Sequence, residues 1–357
     1  EISYVQNHLN IQHFELSNKE QHIIVNGLTS GNPADSLTVQ LKDIDVPYIL
    51  DIANFHSVGF NGLASGNVVL KSVFHNLQAN ANLTVKQFQF EHGDMGILYA
   101  KANYSNAEGR INIDAETIDE GASTNIEGYI DLRHSYINLP IYANDTRLTF
   151  LNKFCGTFMD NINLRGNGWV KVVGPLNNVN LEGDMLASGS VRITPLGTTY
   201  IVQDGRVTLV PNEISLNNIT IADPEGHKAV LTGGLHHQAL RHLTFDFDVQ
   251  TNNLLTYNFA RKASSGTFWG RIYASGECQI IGRNHEITMN VDITPNRNSF
   301  ITYNAAKNTI DENSFIRWRD MTPDSLQASL KQDTTWLKRP VEDGYNKNLA
   351  SDLHINF

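Results

Sequence analysis

Apolar and polar residues alternate one by one along most of the chain. Residues 243–249 and 287–293 show the pattern most clearly, with an apolar side chain at every second position. Because successive side chains of a strand point to opposite faces of a sheet, each stretch predicts an antiparallel strand with one apolar and one wet face. Turn residues separate the stretches, as at Glu108-Gly109 and Asp204-Gly205. The pattern therefore predicts an all-β protein.

A long-period repeat underlies the alternation. Three anchor glycines, Gly66, Gly168 and Gly276, lie 102 and then 108 residues apart, and small or apolar residues follow each anchor at offsets 2, 4, 11, 13, 15 and 17. These positions hold Val68, Leu70, Leu77, Ala79, Ala81 and Leu83 in the first copy, Val170, Val172, Val179, Leu181, Gly183 and Met185 in the second, and Cys278, Ile280, Ile287, Met289, Val291 and Ile293 in the third. A slip of one residue would exchange the two faces, so the shared phase predicts a hairpin in each copy. The small residue six positions after each anchor is expected at the turn: Ser72, Gly174 and Gly282.

Short segments without alternation precede each anchor. They are 45–55 (DVPYILDIANF), 145–154 (DTRLTFLNKF) and 252–259 (NNLLTYNF), and each predicts two or three helical turns. The predicted organisation is the end of a preceding repeat at 1–44, then repeats at 45–143, 144–250 and 251–357. A charged insertion at about 304–352 interrupts the last repeat, and its residues Trp318 and Trp336 are expected to tack it onto the body; an interaction patch is the alternative. Because the chain starts without Met and stops within an alternating stretch, we expect it to be part of a longer protein.

Three repeats of one unit predict an elongated body. Neighbouring strands lie about 4.8 Å apart, so three units of five strands would extend roughly 70 Å. No long amphipathic helix is predicted to cover the apolar face. That face must close on itself, pack against a second sheet, or curl into a trough that holds apolar material. Small residues such as Ala79, Ala81 and Gly183 on this face favour the trough, because a packed core prefers bulk there.

Composition and charge remove several classes of function. The chain has 27 basic and 37 acidic residues without a basic cluster, which argues against nucleic-acid binding. Cys155 and Cys278 are too few for a disulfide scaffold and are expected as buried or half-buried thiols; the alternative is a pair formed in an oxidising compartment. No apolar run is long enough for a membrane-spanning helix.

Candidate catalytic residues have simpler interpretations. His236 and His237 point to opposite faces of a strand and cannot share one metal ion. Asp246 and Asp248 alternate with apolar residues, as on a wet sheet face. The sequence has no nucleophile elbow, phosphate-binding loop or dinucleotide fingerprint. We therefore predict no enzyme activity, no catalytic residue, no cofactor and no metal.

Three stretches resemble the TamB family within the AsmA-like superfamily: 164–175 (LRGNGWVKVVGP), 219–226 (ITIADPEG) and 268–276 (FWGRIYASG). The resemblance covers most of the chain and rests on spaced glycines rather than on a catalytic signature. It implies an elongated repeating β-groove, a curved, taco-like antiparallel sheet of three repeats with short helices between repeats.

The resemblance also implies a function. Such a groove would act as a periplasmic bridge that carries phospholipid acyl chains between the inner and outer membranes of a Gram-negative bacterium, in a parent protein anchored in the inner membrane. A scaffold for outer-membrane protein assembly is the alternative. An Omp85-class barrel partner would dock through parts that this sequence lacks. The expected groove-lining residues are Val68, Leu70, Leu77, Leu83, Val170, Val172, Val179, Leu181, Phe245, Phe247, Ile280, Ile287, Met289, Val291 and Ile293.

Overall fold

One large β-sheet contains almost every strand-forming segment of the chain. The computed structural model describes residues 1–52, 59–156, 158–238, 241–261, 268–283, 286–303 and 352–356. Of the described residues, 76% lie in strands, and their sheet stays unclosed. The predicted all-β class is therefore confirmed, as is the elongated antiparallel sheet with few helices.

The first part of the chain is formed by β1 (Ile2–Val5), β2 (His8–Asn18), β3 (Gln21–Thr29), β4 (Ser36–Asp45), α1 (Val46–Ile52), β5 (Phe60–Lys71), β6 (Gln78–Phe90), β7 (Gly93–Asp94), β8 (Ile97–Ser105), β9 (Arg110–Asp119), β10 (Ala122–Asp131) and β11 (Tyr136–Arg147). The second part is formed by α2 (Leu151–Cys155), β12 (Met159–Pro175), β13 (Asn180–Ile193), β14 (Thr198–Val210), β15 (Glu213–Ala222), β16 (Lys228–Gln238), β17 (Arg241–Phe259), β18 (Phe268–Arg283), β19 (Glu286–Pro295), β20 (Phe300–Tyr303) and β21 (Asp352–Asn356).

The strands form a meander in which each long strand pairs with the next along the chain. This order holds from β1 to β6 and from β8 to β19, and β6 pairs directly with β8. The short strands β7 and β20 pair with one end of β6 and β18. β21 is the exception, because it runs parallel to β19. The predicted insertion at about 304–352 lies outside the described residues, except for Asp352 at the start of β21.

Each anchor glycine begins the predicted hairpin. Gly66 in β5 faces Leu83 in β6, Gly168 in β12 faces Met185 in β13, and Gly276 in β18 faces Ile293 in β19. The φ angles of the three glycines are 148°, 142° and 141°. A Cβ at each would lie within 2.2 Å of a carbonyl oxygen on the next strand. These positions therefore require glycine for both conformation and space.

A β-bulge accompanies each anchor on the preceding strand. Asp43, Asp145 and Asn253 lie 23 residues before the three anchors and have φ angles of 50°, 53° and 54°. Their backbone N–H groups donate to the side chains of Ser65, Asn167 and Ser275, the residues just before the anchors. A bulge bends a strand and increases its twist, so each motif bends the sheet where it lies. We call the boundary drawn through the three motifs the bend line.

Two of the three predicted helices are present. α1 follows β4, and α2 follows β11. The helix predicted at 252–259 is wrong, because these residues form the end of β17. Leu254 pairs with Ala274 and Leu255 with Tyr273 of β18, and both leucines are buried. Pairing with a distant strand overrides the local helical pattern here. The predicted repeat boundaries at 45, 144 and 251 fall within β4, β11 and β17, and the division into repeats remains a prediction.

The candidate site is an open apolar face of the sheet

One row of directly paired side chains crosses the sheet from β2 to β19, and every member is apolar or glycine. Side chains of directly opposite residues lie on the same face, so the row marks a continuous apolar stripe. Its members are Leu16, Ile23, Leu41, Gly66, Leu83, Ala100, Ala115, Ile126, Ile141, Val170, Gly183, Leu209, Ile214, Leu235, Phe245, Gly282 and Ile287. We call the face that carries this row the inner face.

Parallel rows widen the stripe. One runs through Val25, Val39, Val68, Ala81, Ala102 and Ile113. A second runs through Ala143, Gly168, Met185, Val207, Leu216, Gly233, Phe247, Ile280 and Met289. The inner face is therefore apolar over a width of several residues along each strand.

The sequence-predicted lining residues fall on this face wherever a strand places them. Val68, Leu70 and Leu83 pair within the first hairpin, Val170, Val172 and Leu181 within the second, and Ile280, Ile287, Met289, Val291 and Ile293 within the third. Phe245 and Phe247 join the rows from β17. Leu77 and Val179 lie in the connections just before β6 and β13, so no strand pair fixes their direction. Ala100 and Ile141 also belong to the row, but they were not named as lining residues from the sequence. They follow the same alternation of apolar and polar residues as the residues that were named.

The predicted lining residues have an intermediate exposure. Phe245 is 6% exposed, and all the others are half-buried. The opposite face is polar, and Asn67, Asn82 and Lys101 form one exposed row across it. Half-buried side chains without a second sheet above them are expected when a sheet curves toward its apolar face. The inner face is thus the concave wall of a groove.

The helix side of the inner face is packed. In the first repeat, Ile49 and Leu50 of α1 pack against a buried cluster on that side of the bend line. The cluster contains Val46, Ala64, Val85, Phe88 and Met95. In the third repeat, Leu254 packs against Tyr200 and Ala229 instead of a helix. We call this part of the inner face the packed half, and the part with the half-buried rows the open half.

Two buried carboxylates hold the packed half together. Glu91, 4% exposed, accepts a hydrogen bond from Gly59 N–H at 2.9 Å and pairs with Lys153 of α2. The rings of Phe90 and Phe150 lie 5.3 Å apart beside this pair. α2 is thereby fixed to the turn after β6.

Asp223 makes the second connection, from the β15–β16 turn to β17. It is 1% exposed, and its carboxylate accepts four hydrogen bonds. The donors are the N–H groups of Glu225, His227 and Leu255, at 2.9, 3.0 and 2.9 Å, and Nδ1 of His227 at 2.9 Å. Burial alone would raise the pKa of this carboxyl, but the hydrogen bonds from Leu255 and His227 lower the pKa overall.

In the open half, glycines leave space for the bulky side chains of neighbouring strands. The ring of Phe245 lies over Gly282, where an added Cβ would come within 2.3 Å of two ring carbons. The rings of Phe245 and Phe247 stack at 5.2 Å with an interplanar angle of 17°. Gly183 similarly lies between Val170 and Leu209. Bulky side chains thus fill the space above glycines instead of projecting into the groove.

Candidate chemical groups remain dispersed. No cluster of three or more His, Cys, Asp or Glu side chains suited to a metal ion occurs in the described part of the chain. His236 is exposed and His237 is buried, on opposite faces as expected. Cys155 and Cys278 are half-buried free thiols, and burial raises the pKa of Cys155 to about 11. Within the described ranges, no helix has the length and apolar character needed to cross a bilayer.

A family comparison decides the assignment. The model of the TamB C-terminal domain matches residues 216–356, from β15 to the end of β21. This part of the chain is a TamB-family domain. No curated protein and no solved structure matches the chain.

TamB proteins are components of the bacterial envelope and are not known as enzymes. They take part in the translocation and assembly module or in envelope lipid transport, and they work with an outer-membrane partner. The match to TamB begins at Leu216, a member of one inner-face row. Both rows continue upstream of the matched residues, the row of Leu216 to β11 and the longest row to β2.

Proposed function

We propose that the inner face carries phospholipid acyl chains along the protein through the periplasm, between the inner and outer membranes. The unbroken apolar row from β2 to β19 is the observation that supports this function. An acyl chain lying on it would meet no charged side chain of the row over the whole described sheet. The lining residues named from the sequence are proposed as the contact surface for these chains.

The open half suits a ligand that must move. Each methylene removed from water contributes about 0.8 kcal/mol. Because the wall has similar apolar character in each repeat, a chain could slide without a large net change in free energy. The polar headgroup would stay at the open rim, in water. We propose that the direction of transport is set by the donor and acceptor membranes.

An assembly scaffold is the second candidate, in which the parent protein supports an Omp85-class barrel partner. In the described part of the chain β20 pairs with β18 alone, and this favours the scaffold because open strand edges accept further strands. An acyl-chain carrier and a scaffold differ in what the inner face binds. Native mass spectrometry of the gently purified chain separates them, since only the carrier retains phospholipid in proportion to protein.

A charge on the inner face tests the proposal. Phe247→Arg and Val291→Asp place a charge on the open half, where an unpaired charge repels hydrocarbon and recruits water. We expect at least a roughly tenfold loss of bound phospholipid with retained strand content by circular dichroism. Thr288→Asp, on the polar face of β19, is the matched control and should keep the wild-type lipid load.

Two outcomes would contradict the carrier function. The first is absence of phospholipid from the wild-type chain under gentle extraction. The second is unfolding of both variants, because only a closed, dry core requires these positions to exclude water. Either result would favour the scaffold.

A further inference from the structure

The last strands of the sheet expose large apolar side chains at one rim. Phe300, Ile301 and Tyr303 of β20 are 60, 56 and 50% exposed, and Phe268 of β18 is 47% exposed. Phe268 and Tyr303 are a direct cross-strand pair with ring centroids 4.9 Å apart. In the described part of the chain, β20 pairs with β18 alone. We call these four residues the edge patch.

The edge patch differs from the rest of the helix-side rim. In the first repeat, α1 covers the inner face there, and the cluster beneath it is buried. At the start of β18, Phe268 on the inner face is exposed, Gly270 is buried, Ile272 is half-buried and Ala274 is fully buried. Contiguous exposed apolar side chains of this size mark contact surfaces on soluble domains.

The described segments that carry the edge patch are also basic, although the chain has a net charge of −10. No Asp or Glu occurs in residues 249–276 or 293–303, whereas Arg261, Arg271 and Arg297 lie there. Arg297 is exposed, and Arg261 lies over the ring of Trp269 at 5.3 Å. Arg271 contacts Glu225 at 3.4 Å with both side chains partly exposed. The surface around the edge patch therefore combines aromatic rings with positive charge.

Side chains on both faces of β20 are exposed. Phe300 pairs with Arg271 and Ile301 with Gly270, so these neighbours point to opposite faces of the sheet. A rigid protein partner would cover one face of an edge strand and leave the other in water. The interfacial layer of a bilayer surrounds an inserted edge on both faces. Aromatic rings with Arg side chains are also the combination that binds at the headgroup level of anionic membranes.

We propose that the edge patch and its neighbouring arginines dock this end of the protein on an anionic lipid bilayer. Phe300, Ile301, Tyr303 and Phe268 insert at the level of the headgroups, and Arg261 and Arg297 contact lipid phosphates. This docking surface goes beyond the transport proposal and does not depend on lipid in the groove. It places the C-terminal end of the described sheet against a membrane.

Vesicle co-sedimentation of the 357-residue chain tests the proposal. Vesicles of phosphatidylethanolamine with phosphatidylglycerol should bind the wild-type chain, and pure phosphatidylcholine vesicles should bind it weakly. Binding should fall with added salt, because salt screens charges beyond about 10 Å at 0.1 M.

Phe300→Ser/Ile301→Ser should weaken binding about tenfold or more. Arg261→Glu/Arg297→Glu should weaken it about tenfold and remove the salt dependence.

Leu132→Ser/Tyr142→Ser is the matched control, because these side chains are 47 and 56% exposed elsewhere on the sheet. It should bind anionic vesicles like the wild-type chain. The proposal is overturned if the wild-type chain fails to bind these vesicles or if the control loses binding equally. It is also overturned if the serine variant only reduces self-association in sedimentation velocity, since the patch would then be a protein contact. Phospholipid load by native mass spectrometry reports separately on the groove and should not change in the edge variants.

Discussion

The packed and open halves of the inner face share one set of strands but differ in burial. On β5, Ala64 is 1% exposed and packs beneath α1, whereas Val68, on the other side of Gly66, is half-buried beside open space. On β17, Leu254 is 2% exposed, whereas Phe247 is half-buried. The packed half therefore provides the stability that an open sheet of this size needs, and the open half is left available for a ligand.

The largest expected effect is on the free energy of unfolding, when a phenylalanine on one side of the bend line is compared with one on the other side. Phe88→Ala removes a 7% exposed ring from the packed half and should lower the free energy of unfolding by about 3–5 kcal/mol. Phe247→Ala, in the open half, should cost about 1–2 kcal/mol, chiefly through its stack on Phe245. Urea unfolding of lipid-free protein measures both values. Equal losses would show that the two halves are packed alike.

A smaller effect is expected for the carboxylate that connects the β15–β16 turn to β17. Asp223→Asn keeps the shape but loses the charge that accepts four hydrogen bonds, and should cost about 2–3 kcal/mol at neutral pH. The pKa of Asp223 is lowered in the folded state. The carboxylate therefore contributes fully to the free energy of unfolding above the ordinary aspartate pKa of about 4, and this contribution is lost as the pH falls through the folded-state pKa.

The difference between wild type and Asp223→Asn should therefore shrink in acid, as measured by urea unfolding at a series of pH values. Asp248→Asn, at an exposed position on the polar face of β17, is the control and should match wild type throughout. A pH-independent difference would mean that the charge of Asp223 is not what joins the turn to β17.

The smallest effect is expected on the polar face opposite the inner face, which we call the outer face. Arg206 and Asp184 form a bidentate ion pair between β13 and β14, with side chains 65 and 31% exposed. Solvent screens such a pair, so Arg206→Ala should leave the thermal midpoint unchanged within error. A clear decrease by differential scanning calorimetry would indicate that the outer face also contributes to holding the curved sheet.

Local periodicity predicted the hairpins because it is a property of each strand alone. Gly66, Gly168 and Gly276 were found from their spacing, and the structure gives all three the same conformation. The bulges at Asp43, Asp145 and Asn253 were missed, although the constant offset of 23 residues was available as a signal. A bulge residue is recognised only when its partner strand is known, because the extra residue is defined by the register.

The packed half could not be predicted from alternation. Phe88 and Val68 are both apolar strand residues, but Phe88 is buried in the cluster beneath α1 and Val68 is half-buried. Asp223 and Glu91 are acidic residues near turns, like many that remain in water. Their role depends on Leu255 and Lys153, which lie 32 and 62 residues away. The third predicted helix failed for the same reason, since Ala274 and Tyr273 of β18 determine the conformation of 252–259.

The meander has a consequence for how the chain folds. Each long strand from β1 to β19 completes its pairing as soon as the strand next to it is available, because no pairing in this range joins distant parts of the sequence. Loop closure is then short at every step, which favours rapid folding for a β protein. The sheet can therefore grow hairpin by hairpin from its N-terminal end while later segments are still unfolded. A chain delivered gradually through a translocation pore would need no completed C-terminus to begin folding.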